Sequence, residues 1–138
     1  MAHVSIPPVT PETSEVIRRL IISWHAGPDA GRLRLNEAAR KCGGLPVYGD
    51  IGGVLFLRPD GQILRQSTAF EEAPVVETDP QWRLIAVVSA ARRFAELSAI
   101  VPPKPSHARE CLSCGGIGEM HGAICGECSG LGWTHAAV

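Results

Sequence analysis

The sequence contains no apolar run long enough to cross a bilayer as a helix, which takes about 20 consecutive apolar residues. It also carries almost no net charge: 13 Lys and Arg stand against 14 Asp and Glu, a formal −1. That balance excludes a global basic field able to attract nucleic acid or an anionic membrane. The opening residues, MAHVSIPPVTPET, have no basic start followed by an apolar stretch, so no secretory signal is expected. A cytoplasmic location, with its thiols reduced, is the expectation that follows. Catalytic signatures are missing too. Ser89 and Ser98 have no neighbouring glycine elbow. Gly43-Gly44 and Gly52-Gly53 lack the glycine pattern and the Lys-Ser/Thr of a phosphate loop, and read as turns. The acids Glu71-Glu72 and Glu77 with Asp79 read as solvated pairs. No enzyme is expected.

What is present is concentrated near the end of the chain. Four of the five cysteines are Cys111, Cys114, Cys125 and Cys128, in CLSCGGIG and CGECSGLG. This is Cys-x-x-Cys-x-Gly-x-Gly written twice. Each pair places two sulfurs on one tight turn, and a second turn completes a tetrahedron of thiolates, the coordination zinc prefers. The glycines let the chain reverse behind each pair, because glycine takes positive φ without steric cost. They also disfavour the helix start at which a redox Cys-x-x-Cys sits. One structural zinc per chain is expected, held by those four cysteines. Cys42 is isolated and reads as a small buried apolar residue. His121 lies between the pairs and could replace a ligand, but reads as a solvated loop residue, as do His107 and His135.

The repeat resembles the zinc-finger region of DnaJ-type co-chaperones, whose repeating unit is Cys-x-x-Cys-x-Gly-x-Gly. The resemblance covers Cys111 to about Trp133 and is partial: that family region carries four units and two zincs, against two units here. No His-Pro-Asp triplet of a J-domain occurs. The resemblance implies a zinc knuckle that binds protein; it does not imply a co-chaperone.

The rest of the chain, 138 residues at 45% hydrophobic, has enough apolar content for a core. The lead from Ile6 to Pro11 is expected to be extended. Thr10-Pro11 is a capping hydroxyl followed by proline at the first helical position. Val16, Ile17, Leu20, Ile21 and Trp24 then share one face, so residues 11–26 should be an amphipathic helix closed by Gly27 and Pro28. His25 falls in its last turn, where the helix dipole suits it. Leu33 and Leu35, alternating with arginines, suggest a short extended piece, and Asn36 could cap a short helix up to Cys42. Val54 to Arg58 and Gln62 to Gln66 flank Pro59-Asp60-Gly61, a strong hairpin signal. Tyr48 and Ile51 are assigned to a preceding strand and Pro74 to Thr78 to a following one, all antiparallel because the connections are short. Asp79-Pro80 repeats the cap-then-proline signature. Leu84, Val87, Val88, Ala91, Phe94 and Ala95 extend a second amphipathic stripe to about Ser98.

All 11 prolines precede Ser106, whereas seven of the 15 glycines follow it. The expected organisation is therefore an α+β domain over 1–101, and a proline spacer with a zinc knuckle over 102–138. The fold class is α+β, a small antiparallel sheet with two flanking amphipathic helices. Residues 49–63, GDIGGVLFLRPDGQI, resemble the central hairpin of the SUKH superfamily. That resemblance implies a toxin-neutralising immunity protein or a partner-binding adaptor.

From Ser106 onward Arg109 is the only cation, opposed by Glu110, Glu119 and Glu127. Four thiolates on a zinc dication add two more negative charges, making the knuckle acidic. Nucleic-acid binding rests on cationic contacts to phosphates, so a nucleic-acid-binding knuckle is the weaker alternative. Ile117, Ile124, Leu131 and Trp133 around the glycine turns suit either a contact with another protein or packing onto the first domain. Another protein is the expected partner. No nucleic acid and no membrane are expected, and oligomeric state is not set by the sequence.

Overall fold

A computed structural model describes residues 5–26, 33–50, 52–67 and 73–134. Helix α1 runs over Pro11–Ala26. Thr10 starts it as expected: its carbonyl accepts from the Ser14 N–H at 2.8 Å and its hydroxyl from the Thr13 N–H at 3.2 Å. The residues proposed to close it, Gly27 and Pro28, lie outside the described residues, as does the His25 side chain.

Helix α2 occupies Leu33–Cys42, which corrects the reading of Leu33 to Leu35 as extended and of Asn36 as a cap. The alternation of leucine with arginine was the weaker signal. Leu35, Ala38, Ala39 and Cys42 recur at helical spacing, and they pack with Phe56 and Leu64 in a small core. Strands β1, Leu45–Asp50, β2, Gly53–Leu57, β3, Ile63–Gln66, and β4, Val75–Val76, follow. They form one antiparallel meander in the order β1-β2-β3-β4, as their short connections require. Tyr48 lies in β1, whereas Ile51 lies outside the described residues.

The β2–β3 turn is the one its residues specify. The Gly61 N–H donates to the Arg58 carbonyl at 2.9 Å, and the Gln62 N–H to Asp60 Oδ1 at 2.9 Å. Gly61 sits at φ +89°, where a Cβ would also meet Val9 Cγ2 at 2.7 Å. The extended lead is thereby seated over the turn, with Ile6 and Val9 against the main core.

Helix α3, Pro80–Arg93, has Asp79 as its cap, with Oδ1 accepting from the Gln81 N–H at 2.9 Å. It stops earlier than the apolar stripe. Phe94 adopts an extended conformation, and a 3-10 helix continues over Ala95–Ile100 to bury Leu97 and Ile100.

Period-2 alternation divides the sheet into two faces. Leu55, Leu57 and Ile63 join Ile17, Ile21 and the α3 residues Ala86, Val87 and Ala90 in the main core. Phe56 and Leu64 point the other way, to α2. A register shift between Pro46 and Tyr48 marks a bulge, after which both Val47 and Tyr48 lie with the main core. The result is an α+β layer structure with helices on both faces, the short helix that the sequence reading began at Asn36 starting instead at Leu33.

The knuckle follows through short pairs. Strand β5, Arg109–Glu110, pairs with β8, Trp133–Thr134, and β6, Glu119–Met120, pairs with β7, Ala123–Ile124. Pro102, at the start of the proline spacer, is buried. No helix among the described residues is long and apolar enough to cross a membrane.

Candidate metal centre

Each Cys-x-x-Cys-x-Gly-x-Gly unit folds by the same hydrogen bonds. In the first, the Gly116 N–H donates to the Cys111 carbonyl at 3.1 Å and the Ile117 N–H to the Cys114 carbonyl at 3.4 Å. In the second, Gly130 donates to Cys125 at 3.2 Å and Leu131 to Cys128 at 3.1 Å. The last glycine of each unit turns its N–H onto sulfur: Gly118 to Cys114 Sγ at 3.1 Å, Gly132 to Cys128 Sγ at 3.2 Å. The units also clasp each other, Cys111 N–H to the Gly132 carbonyl at 3.0 Å and Cys125 N–H to the Gly118 carbonyl at 2.9 Å. The knuckle is thus two copies of one turn that pair reciprocally around the sulfurs.

Glycine is required for this close approach. Gly116, Gly118, Gly130 and Gly132 have φ of +84°, +88°, +89° and +83°. A Cβ at Gly132 would lie 2.5 Å from the Gly116 carbonyl oxygen, and one at Gly118 would strike the Gly130 carbonyl. Ser129 takes φ +55° where the first unit has Gly115 at +66°, so the second unit holds a non-glycine left-handed residue in the same place.

The structure brings together all four cysteines that the sequence selected. Their Sγ atoms lie within 4.8 Å of one another, and all four residues are buried. The Cys111–Cys125 and Cys114–Cys128 sulfurs are each 3.8 Å apart. A regular tetrahedron of metal–thiolate bonds of about 2.3 Å has edges of about 3.8 Å, so the set fits one metal ion. The glycine N–H groups on Cys114 and Cys128 would then act as donors to bound thiolates, orienting them and moderating their charge.

Without metal the sulfurs are unequal. Burial opposes ionisation of Cys114, yet the Gly118 N–H and the Cys111 and Cys128 thiols outweigh it and bring its pKa down to about 7. Burial pushes Cys128 up to about 12 against the pull of the Gly132 and Gly130 N–H groups. Metal loading requires thiolates, so it must release protons from this cluster.

The other sequence candidates lie elsewhere. His121 is exposed in the β6–β7 turn at φ +53°, outside the sulfur cluster, and His107 is exposed before β5. His135 and Glu71-Glu72 lie outside the described residues. Cys42 is half-buried beside Phe56, and burial raises its thiol pKa, which makes it a packing residue. Glu77 pairs with Arg65 at 2.7 Å and Asp79 caps α3, so both acids of that pair have structural partners.

The residues that sequence reasoning missed are those that seat the knuckle. Arg92 donates to the Ile117 and Gly130 carbonyls at 2.8 and 3.0 Å and pairs with Glu119 at 2.9 Å. Gln81 donates to the Gly126 carbonyl at 3.1 Å. A Cβ on Gly130 would meet Val88 Cγ1 at 2.8 Å, and Leu131 packs on the main core. Helix α3 is consequently buried from Leu84 through Val88 without interruption, between the sheet and the knuckle. Nothing in the sequence near Arg92 signals a partner 25 or 38 residues later.

Comparison with protein-family models, with curated proteins and with solved structures finds no match to this chain. Fold and site together define a small α+β protein with a C-terminal Cys-x-x-Cys-type cluster positioned to hold one metal ion.

Proposed function

We propose that this chain is a non-enzymatic, zinc-stabilised module that binds another protein through the open side of its knuckle. An all-sulfur, buried and closed ligand set suits zinc in a structural role, with no coordination position left for water. The observation that carries the binding reading is the split in the knuckle's apolar residues. Leu131 and Trp133 are turned inward, whereas Leu112 is 94% and Ile117 68% exposed beside the sulfurs. Isolated exposed aliphatic residues are common, but Leu112 and Ile117 share one hydrogen-bonded turn beside the sulfur cluster and make a preorganised contact. The likeness to DnaJ-type repeats supports the same reading, since it implies a protein-binding knuckle. The acidity of the knuckle argues against nucleic acid, because Glu110, Glu119 and Glu127 outnumber Arg109 and the thiolates add to them. A SUKH-type immunity role belongs to the same protein-binding class, resting on the hairpin sequence.

The test places a photo-crosslinking side chain at position 112 in cells and identifies adducts by mass spectrometry. An adduct with a defined polypeptide is expected from position 112 and not from exposed Asp60. Equal adducts from both positions would remove the protein-binding assignment. A salt-sensitive anisotropy change with duplex or single-stranded oligonucleotide would replace it with the nucleic-acid reading.

A further inference from the structure

The repeat units pair reciprocally, each clasping the other by the same backbone bond. The same shift of 14 residues that relates Cys111 to Cys125 relates the surface of the first unit to that of the second. The second unit is already seated on a helix. Gly126 receives the Gln81 amide, Gly130 lies against Val88 and accepts from Arg92, and Leu131 enters the core, while the first unit meets this helix where Arg92 reaches on to the Ile117 carbonyl and Glu119. These α3 residues are separated by seven and eleven positions, so they line one helical face.

The counterparts in the first unit are Leu112, Gly116 and Ile117. They have the same backbone form, with Gly116 at φ +84° against +89° at Gly130. Leu112 and Ile117 are exposed. The residue lying over each glycine differs in kind: Ile124 contacts Gly130, and the Glu110 side chain covers Gly116. A shallow cleft beside Leu112 and Ser113 is lined on its other sides by Glu110, Glu127, Thr134 and Arg109, so two carboxylates face one guanidinium.

We propose that the first unit seats an amphipathic helix of a partner protein, in the manner in which the second unit seats α3. This inference rests on the protein-binding reading above and names the kind of partner. The helix presents an aliphatic side chain to Gly116 and Ile117. Four residues on, it carries an arginine, the relation of Val88 to Arg92, which Glu110 and Glu127 at the cleft favour over the single Arg109. Leu112, where the second unit has glycine, adds an apolar contact that α3 does not receive.

The zinc-loaded full chain and a fluorescein-labelled peptide of its own residues 79–94 test this by anisotropy. The peptide carries the face that the second unit recognises. Saturable binding is expected, weakened roughly tenfold or more by Leu112→Asp with Ile117→Asp. Val75→Asp with Val76→Asp, at exposed positions on β4, should leave it unchanged. The peptide carrying Arg92→Gln should bind several-fold more weakly. Zinc content and far-UV circular dichroism of each variant establish that it folds. No saturable binding, or binding indifferent to Leu112→Asp and Ile117→Asp, overturns the proposal. If crosslinking from position 112 still captures a protein in that case, the protein-binding reading survives without the helix.

Discussion

The two parts of this molecule bury different things. The α+β body encloses Ile17, Leu45, Leu55, Phe56, Leu57 and Ile63 almost completely, on two faces of one sheet. The knuckle's own buried cluster consists of four cysteines and nothing else. Burial of apolar surface stabilises the body at roughly 25 cal/mol per Å², without regard to metal. Beyond Trp133 and the seating of Leu131 on the body, the knuckle has little such burial, and ligation is expected to supply most of its order. The comparison teaches where each part is fragile: the body to cavities, the knuckle to loss of a sulfur or of the ion.

The largest effect expected is at a ligand. With zinc bound as proposed, Cys125→Ser should abolish its binding and with it apparent folding free energy on the order of 10 kcal/mol for the knuckle. Elemental analysis should show a full equivalent in Cys42→Ser and none in Cys125→Ser; retention in both would break the comparison at its root. Chelation should have the same regional outcome in the wild type. Amide exchange should accelerate across 111–134 while β2 and β3 stay protected, and simultaneous loss of protection in both would mean that the body depends on the knuckle.

Within the body, Phe56→Ala removes a fully buried ring between the sheet and α2. It should cost about 3–5 kcal/mol, read as a lowered melting temperature at unchanged zinc content. Gly61→Val should cost less, about 1–3 kcal/mol, because a β-branched residue must take φ near +89° and collide with Val9. Equal melting temperatures would show that the turn and the lead do not constrain each other. The smallest effect sharpens the boundary between the parts. Arg92→Gln loses two charge-assisted bonds to knuckle carbonyls and the pair with Glu119. It should cost about 1–2 kcal/mol, seen as faster exchange at Gly118 and Gly130 with zinc retained. An unchanged exchange rate would leave Val88 and Leu131 as the contacts that seat the knuckle.

Legibility followed the range of the interactions. The caps at Thr10 and Asp79, the Pro59-Asp60-Gly61 turn and the sulfur set all involve residues within a few positions, or a motif repeated in full, and the sequence reading located each. It misread Leu33 to Leu35 because a three-residue alternation says little until Phe56 and Leu64 supply the surface that α2 covers. It carried the second stripe past Phe94 because periodicity does not reveal where a helix must turn to bury Leu97 and Ile100.

By itself the amino-acid sequence located the candidate metal site, the four cysteines that the fold brings together. Ligand number, spacing and the glycines behind each pair are local chemistry, and they leave one geometry open to four thiolates. It determined the antiparallel meander for a similar reason, since short connections allow nothing else. Only the tertiary structure decided which side of the knuckle is covered. The two units share their cysteines and their two motif glycines, and the motif alone does not say which of them faces the body. Val88, Gln81 and Arg92 lie on one face of α3 and meet Gly126 and Gly130 across the fold, Leu131 joins the main core, and the side chains of Leu112 and Ile117 are left outside. That choice is a property of two surfaces meeting, which no single stretch of the chain contains.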